Sequence, residues 1–156
     1  MNNQNQAISE MQRRLANVIR YGTVSEVDTA SAKCRVKLGK SLFTGWLPWQ
    51  TIAANSTLST WSAPKIGEQV IVLSPSGSLG AAFVLTALYK SDHPAPATEE
   101  TKHTITFVDG TKVEYDTSTQ TLHFESSGDV TIKAAGNINM EASGNIKLTG
   151  ARIDLN

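Results

Sequence analysis

The chain has 156 residues, 40% of them apolar, and its 14 Lys+Arg and 14 Asp+Glu cancel to a net charge of zero. That neutrality argues against a strongly electrostatic partner such as duplex nucleic acid or an anionic membrane surface. The single cysteine, Cys34, excludes an internal disulfide and a cysteine metal cluster, and no apolar run approaches the about 18 residues of a membrane-spanning helix. The first residues, MNNQNQAISEMQRR, lack a charged segment followed by an apolar one, so no secretory signal is expected and synthesis and assembly in the cytoplasm are.

Residues 1–20 form an N-terminal helical segment. Ile8, Met11, Leu15, Val18 and Ile19 recur at spacings of three and four, which predicts a helix over residues 7–20. Arg13, Arg14 and Arg20 against Glu10 make it mildly basic. It is expected to dock on another chain or on the domain that follows.

Residues 21–92 read as all-β. Strands are predicted at Thr23–Val27 and Ala32–Leu38, the second with Cys34, Val36 and Leu38 on one face. Cys34 is therefore expected as a small core residue rather than a reactive thiol. Phe43–Trp49 is a third strand interrupted by Pro48, residues 50–65 a polar loop carrying Trp61, and Gln69–Leu73 and Ala81–Leu88 the remaining strands. The link Ser74–Gly80 lacks the Lys-Ser/Thr ending and the helix of a phosphate loop and reads as a turn. Five short strands in this span fit a small Greek-key barrel of the OB kind.

Residues 93–102, with Pro94 and Pro96 and paired acids, read as a linker. Beyond it, Thr104–Val108 and Thr111–Tyr115 flank Asp109-Gly110, a strong hairpin signal. The end of the chain is a repeat: GDVTIKAA, GNINMEAS, GNIKLTGA, then RIDLN, with Gly at 128, 136 and 144. Each octad carries two large apolar residues spaced by two, Val130 and Ile132, Ile138 and Met140, Ile146 and Leu148; Ile153 and Leu155 arrive one residue early. The first large apolar residue of each unit falls at 105, 113, 122, 130, 138, 146 and 153, so the repeat extends back to the linker.

Alternation of period two inside a period of eight means a short strand and a corner, repeated. Eight residues at about 3.3 Å each are too few to encircle a core alone. The simpler solution is three chains wound together as a triangular prism over residues 103–156. Val130, Ile132, Ile138, Met140, Ile146 and Leu148 form the axial trimer core, and Thr, Lys, Glu and Asn face water. The fold class expected is all-β: a short helix, an OB-like barrel and an intertwined trimeric β-helix shaft.

Residues with chemistry to offer have bland readings. His93, His103 and His123 are not spaced as a metal set, and His123, between Leu122 and Phe124, should face outward. Residues 103–156 hold seven carboxylates (Asp109, Glu114, Asp116, Glu125, Asp129, Glu141, Asp154) against four cations, on outward positions where no catalytic cleft forms. Trp46, Trp49 and Trp61 would suit base stacking on an OB barrel. Residues 21–92, however, hold only six basic residues against four acidic ones, so core or subunit-interface roles are expected. No catalytic residue, metal or cofactor is assigned. The alternative function is an OB-type single-stranded nucleic-acid-binding module with a trimerisation tail.

Tyr21 to Tyr89 resembles the baseplate assembly protein V family of contractile-tailed phages and phage-like bacteriocins. The likeness is carried by Gly22-Thr-Val-Ser-Glu-Val-Asp28, Cys34-Arg-Val36, Gly45-Trp-Leu-Pro-Trp49, Trp61-Ser-Ala-Pro-Lys-Ile-Gly-Glu-Gln-Val70 and Ala82-Phe-Val-Leu85, and continues through Phe107–Tyr115. The resemblance implies a homotrimeric, non-enzymatic central spike in the tail baseplate of a virion or phage-like particle. Its partners would be the tail hub and baseplate proteins, and its shaft would cross an outer membrane when the sheath contracts. Longer members end in a His-x-His apex that binds iron; this sequence has none, so a separate tip protein at Asn156 or a tip removed from this chain is implied.

Overall fold

The computed structural model describes residues 2–154, and Leu155 of the expected final apolar pair lies outside them. The chain divides between Ala95 and Pro96 into two compact units.

The first unit opens with helix α1, Asn2–Val18, which passes into strand β1, Ile19–Asp28, without a loop. The helix thus begins earlier and ends earlier than its apolar spacing suggests. Its end at Val18 has a physical cause: Val18 C=O accepts from Ser74 N–H at 2.8 Å, and Ile19 already pairs with Leu73. Around β1 stand β2 (Lys33–Leu38), β3 (Leu42–Phe43), β4 (Leu47–Pro48), β5 (Gln69–Leu73) and β6 (Phe83–Leu85). β1 pairs antiparallel with β2 and β5, β5 with β6, and β2 with β3 and β4. A parallel bridge from Trp49 to Val84 closes the circuit, reinforced by Gln50 N–H donating to Val84 C=O at 2.8 Å. This is the Greek-key barrel expected, with one parallel seam.

The core follows from alternation. Cys34, Val36 and Leu38 from β2, Val70 and Val72 from β5, and Val24, Leu47, Ala82 and Val84 are all buried. Two irregularities shape the barrel. Ser25 is an extra residue in β1 between Val24, opposite Val36, and Glu26, opposite Arg35; its hydroxyl donates to Arg35 C=O at 3.0 Å. A bulge of this kind increases local twist and helps a short sheet to close. Gly22 is required beside it, because a Cβ there would overlap Val36.

The third strand expected over 43–49 is instead two short pairings. The buried Thr44 hydroxyl takes Val36 N–H at 3.0 Å, so a side chain replaces a ladder bond and the register slips between β3 and β4. The strand expected over 81–88 shrinks to Phe83–Leu85, since Leu79–Ala81 is a 3-10 turn and Ala87 sits at φ +68°. The Ser74–Gly80 link is a turn, as expected, built from two 3-10 turns.

The second unit contains an antiparallel meander of β7 (Lys102–Thr106), β8 (Lys112–Asp116) and β9 (Thr121–Glu125). Its first turn is longer than a two-residue hairpin: Phe107 N–H donates to Thr111 C=O at 2.8 Å and Gly110 N–H to Phe107 C=O at 3.1 Å. Asp109 stabilises it by accepting from Thr111 N–H at 2.9 Å. Residues 126–154 carry no helix or strand, but bends fall at residues 127–128, 135–136, 143–144 and 151. The octad therefore registers as regularly spaced bends, without hydrogen-bonded rungs inside a single chain.

Candidate functional site

Strand parity in the second unit sorts its side chains onto two faces. Cross-strand rows His103–Tyr115–Leu122 and Ile105–Val113–Phe124 share one face. The other carries Thr104, Glu114 and His123 in one row and Thr106, Lys112 and Glu125 in the next. The polar face is partly paired, with Lys112 Nζ 2.6 Å from Glu114 Oε2, while the buried Thr104 hydroxyl has no hydrogen-bond partner among the described residues. The apolar face has nothing over it within the unit, and Ile105, Leu122 and Phe124 are all more than half exposed. Among the described residues of this unit not one is buried. Val130, Ile132, Ile138, Met140, Ile146 and Leu148 continue the same character, each between 52% and 74% exposed.

His103 and His123 therefore lie on opposite faces. His123 faces outward, 3.5 Å from Glu125, whereas His103 sits on the apolar face, a placement its parity with Ile105 already encodes. His93 belongs to a turn in the first unit, exchanging backbone hydrogen bonds with Lys90. Among the described residues no three His, Cys, Asp or Glu side chains are grouped to hold a metal ion.

Two of the acids, Asp109 and Asp116, serve turns. Backbone donation from Thr111, then the Ser127 hydroxyl, holds the Asp109 carboxyl below its usual range; the Ser118 hydroxyl and N–H do the same for Asp116. Glu114, expected on an open outward position, is mostly covered where it meets Lys112. A general acid needs a carboxyl pushed upward, opposite to what these hydrogen bonds do.

In the barrel, Cys34 is fully buried, and desolvation, then the Glu68 charge, pushes its thiol up to about 11. This is the environment of an inert core thiol. The tryptophans split. Trp49 packs on the core and meets Trp61 edge-on, with centroids 5.5 Å apart at 61°. Trp46 stands apart beneath the Arg35 guanidinium, 6.0 Å from the ring centroid. Arg35 is itself paired with Glu26 at 2.8 Å. Trp49 and Trp61 meet edge-on and Trp46 lies under a guanidinium, so the three rings do not form a row of parallel faces for successive bases.

Comparison with known proteins adds two findings. Residues 20–89 match the family described as the type VI secretion system/phage-baseplate injector OB domain. The spike protein of Escherichia phage P2 is 41% identical over 115 residues, 74% of this chain and 54% of that protein. The chain thus spans about half the length of the curated relative it matches.

Proposed function

We propose, for a chain that belongs to the phage baseplate assembly protein V family, that it is the non-enzymatic central spike of a contractile tail. In this reading the barrel joins the spike to the hub and baseplate in the tail particle, after assembly in the host cytoplasm. Residues 103–156 of three copies wind into a prism that is driven through the target's outer membrane. The work is mechanical, with free energy supplied by sheath contraction, and no bound cofactor takes part.

One observation carries the reading: the second unit has an apolar face with no second layer over it, continued by exposed apolar pairs eight residues apart. A single chain cannot bury such a surface, and an extended segment without pairing partners leaves its backbone groups to be paired by other chains. Three copies around an axis would solve both. The linker around Pro94 and Pro96 then separates a barrel with its own core from a shaft whose core is shared. A capping protein at the far end would cover the apolar triangle a blunt prism leaves.

Molar mass in solution tests the assembly. About three times 16.8 kDa is expected by light scattering, and a monomer overturns the reading. Piercing is tested on assembled tail particles carrying Ile138→Ala, which loosens the axis without placing charges on it. These should still bind cells and contract, yet admit less of a dye excluded by the outer membrane. Undiminished dye entry would sink the mechanical role of the shaft.

A further inference from the structure

The net charge of zero conceals two halves of opposite sign. Residues 1–95 hold nine basic against five acidic side chains, and residues 96–156 hold five against nine. Part of the cationic excess of the first unit gathers at a concavity on the outer face of the barrel.

Strand parity builds its floor. Val24, Val36, Leu38 and Val70 point into the core, so the residues between them on their strands point out. Thr23 of β1 stands opposite Lys37 of β2 on one side and Gln69 of β5 on the other, giving the cross-strand row Lys37–Thr23–Gln69. Tyr21, two residues back on β1, shares this face and is 67% exposed. At the rim the chain turns at Gly39 and Gly67, with φ +77° and +90°, and the space where a Cβ would stand is open at both. Lys90, from the chain beyond β6, reaches in, and its ammonium donates to Gly67 C=O at 3.1 Å. Together they line a cavity of about 340 Å³.

No carboxylate lines it. The two ammonium groups, the Tyr21 and Thr23 hydroxyls and the Gln69 amide can all donate hydrogen bonds. Lys37 Nζ stands 6.0 Å from the centre of the Phe43 ring and, among the described residues, is in no ion pair. Asp92 lies 3.4 Å from Lys90 Nζ, but it is 78% exposed and outside the lining. The cavity is therefore short of negative charge. A nucleic-acid strand fits it poorly, because Tyr21 is the one aromatic ring in the lining and strand binding stacks successive bases on successive rings. Ammonium groups act as compact point charges on flexible stems, which suits separate carboxylates.

We infer that this cavity receives the carboxylate side chains of an acidic segment of a protein partner, lying across β1 between Lys37 and Lys90. Resting on the spike reading, that partner is the tail hub, and the attachment is electrostatic and weakens with salt.

The test uses the full chain and a fluorescent hexaglutamate peptide as probe. Lys37→Gln is expected to weaken binding about fivefold, as is raising the salt, while Lys40→Gln leaves it unchanged. Lys40 is exposed on the turn after β2 and outside the lining, so it controls for overall charge. No binding up to about 1 mM peptide, or equal loss in the two variants, overturns the site. A single-stranded oligonucleotide of equal charge that binds more tightly than the peptide, and loses affinity with Lys37→Gln, overturns the protein partner. A fall in molar mass with Lys37→Gln places the acidic segment in another copy of this chain and overturns a separate partner. In tail particles, Lys37→Glu should lower the amount of spike incorporated and Lys40→Glu should not; equal incorporation overturns the hub as partner. A monomer by mass that still binds the peptide through Lys37 overturns the spike and leaves the site standing.

Discussion

The two units of this chain solve the same problem in opposite ways. The barrel buries nine apolar side chains inside one chain, closing its sheet with the Trp49–Val84 bridge. The second unit makes a well-paired meander and buries none of its described residues. Both use period-two alternation, so alternation alone does not make a foldable domain. What differs is closure. A sheet that curls round on itself supplies its own second layer, whereas an open meander must borrow one. The barrel's stability should therefore be independent of protein concentration and the second unit's should not.

The largest effect that separates the units is expected from Val72→Asp. It buries an unpaired carboxylate in the closed core, costing several kcal/mol, enough to unfold the barrel at any concentration. Thermal melts followed by circular dichroism should show the barrel transition lost; a surviving transition would contradict the assignment of this core. Ile138→Asp is the counterpart in the second unit. It should reduce the mass from about three times 16.8 kDa, because three charges would meet at one axial level, yet leave the barrel melt in place. A stable trimer with this substitution would show that Ile138 is not axial.

A smaller loss is expected from Gly77→Ala. Gly77 sits at φ +70°, and a methyl added there must displace the Arg14 backbone, costing about 1–3 kcal/mol and loosening α1 from the barrel. Proteolysis after Arg13 or Arg14 should accelerate. Alkali gives a further handle on the closed core. The Cys34 thiol is raised from an ordinary 9.0 to about 11, so its contribution is full below pH 9 and is lost as pH rises toward 11, by about 3 kcal/mol at most. Denaturant midpoints should fall across that window, and Cys34→Ala should flatten the decline. The smallest effect lies on the helix surface. Hydrogen bonds from Arg13 and then Arg14 hold the Glu10 carboxyl at about 2 rather than 4.5. Its support is present above pH 4.5 and fades as pH falls toward 2, visible as a slight loss of helical signal that Glu10→Gln removes.

Much of this was legible in the residues. β5 runs over Gln69–Leu73 as its apolar run predicts, and the inward set Cys34, Val36 and Leu38 is the buried set. Such positions are decided locally, by parity. The third strand was not legible, because its division depends on Thr44 meeting Val36 across the sheet, a pairing no local pattern encodes. The docking of α1 was hidden for the same reason. Gly77 reads as a turn glycine, and only the fold reveals that Arg14 passes over it. At the candidate site, the apolar pairs and their period were evident from spacing, and His103 might have been assigned to the apolar face from its parity with Ile105. The prism core stands as an inference from pattern, since its burial would be a property of three chains.

The direct passage from Val18 of α1 to Ile19 of β1 has a mechanical consequence. A force along α1 enters β1 with no slack segment between them. Ile19–Thr23 is laced to β5 and Thr23–Asp28 to β2. Antiparallel ladder bonds lie across the strand, so a lengthwise pull loads them in shear and shares the load among many, instead of peeling them apart singly. A lengthwise load on the entry strand is therefore shared along both of its ladders rather than borne at one end.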